Sequence, residues 1–319
     1  NSCWSFSASN CLIRQCNLQG IFAMRILITG GTGLIGRNLC TLWLAQGHEL
    51  YVWSRKPEQV QAICGAAVRP VRELSELNAV PLDAVINLAG APIADRPWTQ
   101  ARRTLLRDSR IALTERLVSW LASLEHKPEV LISGSAVGWY GDGGEQLLTE
   151  SSAIQQPDFA TQLCADWEVA AQAAQPLGIR VVLVRTGLVL TSQGGFLSRL
   201  LPVFRLGLGG KQGSGQQWMP WVHLHDEVAL IDHLLHTADA QGPYNACAPQ
   251  PVRNKDFAKL LGQHLRRPAI MAAPGFVLKM ILGDMAGLLL GGQHIQPERT
   301  QEIGFEFKYK DLKSALADL

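Results

Sequence analysis

The stretch that most narrows what this chain can become is residues 28–39, ITGGTGLIGRNL, a glycine-rich turn set directly after the apolar run RILIT and directly before the helical pattern RNLCTLWLAQ. Gly30, Gly33 and Gly36 fall at GxxGxxG spacing, and a strand before with a helix after is the context a dinucleotide fingerprint requires. In such a turn one glycine permits the tight reversal, one lets the backbone approach a pyrophosphate, and one lets helix and strand pack closely. The helix N-terminus meanwhile offers unpaired N–H groups and the positive end of its dipole to the anion. Gly30, Thr32, Gly33, Leu34, Ile35 and Gly36 are therefore candidate cofactor contacts, the alternative being a turn with no ligand.

The rest of the first 190 residues repeats the same rhythm. Apolar strand patterns at 25–29, 49–53, 84–89, 130–135 and 180–186 alternate with helical ones such as NLCTLWLAQ and TERLVSWLASL. Strands this continuously apolar, separated by helices, predict a parallel sheet covered on both faces. The fold class is thus α/β, a Rossmann-like doubly wound parallel sheet with a smaller α/β C-terminal lobe. Residues 24–190 read as the dinucleotide-binding domain and 191–319 as the smaller lobe, with 221–247 returning to the first sheet.

A net charge of +2 with no long basic block supplies no electrostatic footprint for nucleic acid or an anionic membrane. The seven cysteines form no CxxC and no Cys/His cluster at zinc-finger spacing, and their odd number argues against a disulfide framework. They read as reduced thiols of a cytoplasmic protein. Residues 1–23 lack the pattern of a signal peptide; with Met24 taken as the natural start, they read as a poorly ordered, non-native or upstream leader. Phe276–Leu290 is interrupted by Lys279 and Asp284 and is too short to span a bilayer, so it reads as a partly buried helix or helix pair.

Which dinucleotide is expected follows from the second strand. NAD-binding versions place a carboxylate about 20 residues after the glycines, where it accepts from the ribose hydroxyls. Here the strand ends Trp53-Ser54-Arg55-Lys56, and Ser54 with Arg55 suits a 2′-phosphate, since a guanidinium pairs with phosphate in a forked geometry. NADP(H) is favoured over NAD, Arg37 being a second candidate for the same charge and a solvated strand end the alternative for Arg55.

Other polar residues have readings of their own. His223 and His225 read as residues of one strand with no acidic or Cys partner at ligand spacing, so no metal site is expected. Asp226, preceding EVALIDHLL, reads as a helix N-cap. Arg185, just after an apolar run, requires either an acidic side chain or an anionic ligand.

TGGTGLIG near the start, NLAGAPI, SGSAVGWYG and PWVHLHD together resemble the extended short-chain dehydrogenase/reductase superfamily. RPWT (96–99), DSR (108–110), DFATQLCADWE (158–168), VRTGLVL (184–190), GLGGKQGSGQQWMPWVHLHD (207–226) and GFEFKY (304–309) are more narrowly similar to the YfcH-type epimerase family proteins, NAD-dependent epimerase/dehydratase-like with a C-terminal domain of unknown function. The resemblance runs from Met24 to the C-terminus. It implies that Asn87, Ala89 and Gly90 line the cofactor, that Ser135 matches the catalytic serine (a strand-end serine capping a turn being the alternative), and that a homodimer through a shared helix bundle is common among relatives.

The departures from that pattern are specific. The superfamily's Tyr and Lys, four residues apart, are absent from the expected helix, which reads Asp158-Phe159-Ala160-Thr161-Gln162-Leu163-Cys164. The YxxxK at Tyr309–Lys313 lies too far along the chain to replace them. Tyr140 is a substitute acid or a pocket wall, and Cys164 and Asp166 are further candidates or buried helix residues. Where nucleotide-sugar enzymes carry an arginine stands Met219. A pocket rimmed by Trp139, Trp218 and Trp221, with Arg185 facing it and Lys211 and Arg253 nearby, suits a less charged ligand.

The expected function is an NADP(H)-dependent oxidoreductase or epimerase acting on an unidentified small carbonyl or alcohol. The alternatives are a catalytically silent NADP(H)-binding sensor or partner-binding protein, and isomerisation or elimination without net redox change.

Overall fold

The computed structural model describes residues 23–319. The leader expectation for residues 1–22, with Cys3, Cys11 and Cys16, lies outside them.

Seven strands form the central sheet: β1 (Arg25–Thr29), β2 (Glu49–Trp53), β3 (Arg69–Val71), β4 (Ala84–Asn87), β5 (Val130–Ala136), β6 (Arg180–Thr186) and β7 (Gly242–Ala246). Their order is β7-β6-β5-β4-β1-β2-β3, and every pairing is parallel. The order reverses between β1 and β4, and a doubly wound sheet places its ligand crevice at such a switch point, outside the carboxyl ends of the strands.

Both faces are buried because successive residues of each strand point to opposite sides. Ile26 and Ile28 pack with Leu39 and Trp43 of α1 (Leu34–Ala45). Leu27 packs the other way, in the same cluster as Leu117 and Leu121. Those two leucines belong to a long helical stretch in which α2 (Gln100–Arg107) runs through a π-helical turn, Asp108–Ala112, into α3 (Leu113–Ser123). The same face carries α4 (Phe159–Gln172), whose N-cap Asp158 accepts from the backbone N–H of Thr161.

Strands β1, β2 and β6 match the predicted runs end to end, and β5 gains Ala136. β4 stops at Asn87 instead of Ala89, because the Leu88 N–H turns to the Thr29 carbonyl and the Ala89 N–H to Thr29 Oγ1. Within 221–247, it is Gly242–Ala246 that joins the central sheet, beside β6. β3 was not foreseen: it is three residues long with Pro70 at its centre, tolerated because β3 is an edge strand.

Beyond Leu190, α5 (Gly195–Arg205) and the helix Asn254–His264 enclose a separate cluster containing Phe204, Trp221, Phe257, Tyr309 and Leu312. Next comes α6 (Leu224–His236). It starts earlier than expected: His223 is the N-cap, its Nδ1 accepting from the His225 N–H, so the two histidines do not share a strand. Asp226 is not a cap. Wholly buried in the first turn, it accepts from the backbone N–H groups of Lys308 and Tyr309 at 3.0 and 2.9 Å and so ties the C-terminal segment to α6. Residues 276–290 form short helices, Gly275–Leu282 and Gly287–Leu290, a partly buried pair in which Met285 and Ala286 are enclosed while Phe276, Met280 and Ile281 are exposed. No helix among the described residues is long and apolar enough to cross a membrane.

Candidate active site at the carboxyl ends of the strands

The glycine turn divides its labour by position. Gly30 has φ +70°, and a Cβ there would lie 2.7 Å from the Leu88 carbonyl carbon, so it permits the turn and lets the loops after β1 and β4 touch. A Cβ on Gly36 would run into the Gly30 carbonyl oxygen and lie 2.7 Å from Gly31 Cα; this glycine packs helix against turn. Gly33, the N-cap of α1, is exposed, and only the Gly30 oxygen, at 3.1 Å, stands near its open side. No side chain caps α1 and no acidic residue occupies its first turn. This is a cradle that a Cβ would fill, at a helix end suited to a phosphate. Thr32, Leu34 and Ile35 are half-buried around it.

Asn87 lies behind this cradle rather than lining it, contrary to the expectation. It is wholly buried; its Oδ1 accepts from Thr29 Oγ1, and its Nδ2 donates to Thr114 Oγ1 and Ser133 Oγ. Every polar atom of the side chain is engaged in holding β1, β4, β5 and α3 in register. Ala89 is half-buried and Gly90 exposed at the crevice.

At the end of β2, the Ser54 hydroxyl accepts from the Lys56 N–H. The exposed Arg55 guanidinium makes no hydrogen bond or ion pair among the described residues. Arg37 is occupied, donating to the Gln193 carbonyl at 3.0 Å.

The catalytic-side candidates converge on one buried network. Ser135 Oγ donates to Glu168 Oε1 at 2.7 Å. Arg185 grips the same carboxylate from two sides, Nε to Oε1 at 2.8 Å and Nη2 to Oε2 at 2.9 Å, and lies over the Trp139 ring at 3.6 Å. Its remaining Nη1 donates to the Tyr140 hydroxyl at 3.1 Å, which in turn donates to Asn245 Oδ1 at 2.7 Å. The partner Arg185 demanded is therefore an acidic side chain, and Arg185 sits in the wall rather than facing the cleft. Tyr140 is fully buried, and burial pushes its phenol up to about 12. With its proton committed to Asn245, it is not placed to act as a substitute acid.

Glu168 was not singled out from the sequence, although one signal was present. It lies four residues from Cys164 and three from Ala171, all on the buried face of α4, so it is a carboxylate where an apolar residue is expected. Cys164 is also enclosed, and burial pushes its thiol up to about 12, leaving it protonated at neutral pH. Asp166 faces outward, in an ion pair with Arg107 at 2.7 Å.

The three tryptophans do not form one rim. Trp221 is fully enclosed in the second core, its Nε1 donating to the Gln250 carbonyl, because the strand Trp221–His223 is covered on both sides. Trp218 stacks on His294 at 4.0 Å and lies under Arg253, which holds Glu145 with two bonds of 2.8 and 2.7 Å. Those bonds, with one from Trp218, bring the Glu145 carboxyl down to about 2. Tyr309 lies in the second core against His223.

The chain is similar to known proteins over most of its length. The family model described as "NAD dependent epimerase/dehydratase family" matches residues 26–247, and one described as "Domain of unknown function (DUF1731)" matches 273–319. An epimerase family protein SDR39U1 homolog, chloroplastic, of Arabidopsis thaliana is 38% identical over 308 residues, covering 94% of this chain and 88% of its own length. Epimerase family protein YfhF of Bacillus subtilis is 35% identical over 298 residues, covering 93% and 98%. The crystal structure of human epimerase family protein SDR39U1 (isoform2) with NADPH superposes with a TM-score of 0.83 at 33% identity, covering 92% of this chain and 98% of that one.

Proposed function

Because the chain belongs to the NAD dependent epimerase/dehydratase family, we propose that it binds NADP(H) and acts as an oxidoreductase or epimerase on a small carbonyl or alcohol. The observation that carries the cofactor choice is the end of β2: no carboxylate, and an exposed Arg55 guanidinium with no partner among the described residues. The NADPH bound in the human relative supports it. In this reading the backbone of Gly30–Gly36 and the open N-terminus of α1 take the pyrophosphate, Ser54 and Arg55 take the 2′-phosphate, and Ala89 and Gly90 border the crevice. Residues 191–319 close over its nicotinamide end.

When bound, the nicotinamide supplies or accepts a hydride. The protein's part is to place the substrate carbon and manage the proton. Ser135 gives its own proton to Glu168, so toward a substrate it presents a lone pair, which suits accepting from a hydroxyl. Glu168, held by two charge-assisted bonds from Arg185, fixes that orientation instead of removing the proton. Arg185 and Arg253 are both already paired with carboxylates, and Met219 is buried. This favours a substrate with little charge over a nucleotide diphosphate.

The silent-sensor reading draws on the same network: Ser135 and Tyr140 are both tied up, and no phenol reaches the crevice from α4. Stopped-flow absorbance separates the readings, with the NADPH-loaded protein mixed with small aldehydes and ketones and the NADP⁺-loaded protein mixed with secondary alcohols. A net loss of reduced nicotinamide in the first arm, or a net gain in the second, marks an oxidoreductase, and reduced nicotinamide that forms transiently from NADP⁺ and is consumed again marks an epimerase. Unchanged absorbance in both arms with cofactor still bound would contradict the enzyme reading. The chain is further proposed to work in the cytoplasm, where the described free thiols Cys40, Cys64, Cys164 and Cys247 stay reduced, and a homodimer remains a proposal from the resemblance alone.

A further inference from the structure

The helix that should bring a cation to the crevice has none: the face of α4 there carries Ala160 and Cys164, both within van der Waals reach of a Cβ on Gly138. A cation nevertheless arrives from another element. The π-helical turn Asp108–Ala112 inserts an extra residue into the helical ladder, a distortion that often marks functional sites. Two contacts bind this turn to the loop after β4. Ser109 Oγ accepts from the Ala91 N–H at 3.0 Å, and the Arg110 guanidinium lies against Gly90, its central carbon 2.8 Å from where a Cβ would stand.

Arg110 is a cation without a counter-ion. It makes no ion pair among the described residues, and its one hydrogen bond is a long one, Nη1 to the Leu106 carbonyl at 3.4 Å. It lies 5.3 Å from the centre of the Trp167 ring, and Trp167 in turn packs on Gly134 of β5. The guanidinium thus sits over the carboxyl ends of β4 and β5, beside the helix face where the superfamily's lysine is missing. Burial lowers its pKa. A partly desolvated guanidinium with most of its N–H groups unused needs an acceptor.

We propose that Arg110 is a positioning residue for the cofactor: it donates to the hydroxyls of the nicotinamide-side ribose, taking the place of the lysine that α4 lacks. The inference rests on the NADP(H) reading above. It involves no bond-making step; it fixes where the hydride-bearing ring lies relative to β5 and Ser135. The exposed, Cβ-less Gly90 leaves room for the guanidinium and ribose to meet.

The test compares two ligands on the full chain. NADPH carries the nicotinamide half; adenosine 2′,5′-bisphosphate carries the 2′-phosphate without it. Arg110→Met should weaken NADPH by about ten- to a hundredfold, the span expected for hydrogen bonds to a charged group, and leave the bisphosphate within about twofold. Arg110→Lys should restore most of the NADPH affinity. If Arg110→Met does not fold, Arg110→Gln is predicted to show the same split. A variant that binds NADPH like the parent, or loses both ligands equally, would overturn the assignment while leaving the cofactor reading intact. A parent protein that binds neither ligand would overturn the cofactor reading, and this inference with it.

Discussion

Replacing Glu168 by leucine strands a charge inside the protein. The Arg185 and Glu168 side chains are 3% and 6% exposed, so neither is rescued by water once its partner is gone. Two guanidinium donors lose their acceptors, and the Ser135 hydroxyl loses its own. Only the Nη1 bond to Tyr140 and the Trp139 face remain for Arg185. Removing one partner of a buried ion pair costs about 3–5 kcal/mol, and Glu168→Leu is expected in that range by urea unfolding. Arg185→Met, which strands the carboxylate, should cost a similar amount. The double variant is the decisive arm: two apolar side chains of like volume remove both desolvation penalties, so its loss should fall short of the sum of the singles by about 2 kcal/mol or more. A single variant costing under about 1 kcal/mol, or strict additivity, would refute the account of the network as a charge pair that holds Ser135 in place.

Other consequences can be checked independently. Glu227 is wholly buried with Oε1 taking a bond from Thr186 and Oε2 without a partner, and burial raises its carboxyl to about 8. Its folded pKa exceeds its unfolded one, so the unfolded state sheds the proton first and stability falls as pH rises from about 4.5 to about 8. Glu227→Gln should flatten that fall in pH-dependent thermal unfolding; an unchanged slope would rule out a titrating Glu227. Asp226→Ala leaves the Lys308 and Tyr309 N–H groups unpaired, at about 1–3 kcal/mol each, and hydrogen exchange at 308–309 should rise well before the central sheet opens; no local rise would mean that Asp226 does not anchor the tail. Arg55→Ala should weaken NADPH by about 1.5–3 kcal/mol while sparing NADH, as read by calorimetry, and equal loss of both would sink the 2′-phosphate role.

What was legible in the chain was local. RILIT, ELYVW and RVVLVRT are continuous β-branched or aromatic runs bounded by polar residues, and they become β1, β2 and β6 without a change of boundary. The glycine turn was readable because three glycines between a strand and a helix serve separate steric ends, Gly30 and Gly36 visible as collisions that a Cβ would make and Gly33 as the open side of the cradle. What was hidden depends on partners distant in sequence. Arg185 announced a need for an anion, but its carboxylate sits on another element, and only the sheet brings Glu168 beside it. Asp226 has the look of an N-cap, yet a histidine ring two residues after Trp221 caps the helix first, freeing the aspartate to bind the tail. Trp221 reads as a cleft aromatic until the cluster of Phe204, Phe257 and Tyr309 encloses it. The approach of Arg110 to Gly90 has no local trace beyond the DSR triplet itself, because a π-turn aims it.

The glycine cradle and Arg55 together are proposed to select NADP(H) over NAD(H). Calorimetric titration of the purified chain with NADPH, NADP⁺ and NADH in parallel tests this selection most directly. Both phosphorylated forms are expected to bind at about micromolar affinity or tighter, with NADH weaker by about ten- to a hundredfold, the contribution of one forked phosphate contact. Equal affinity for NADPH and NADH, or heat from none of the three, would contradict the proposed selection.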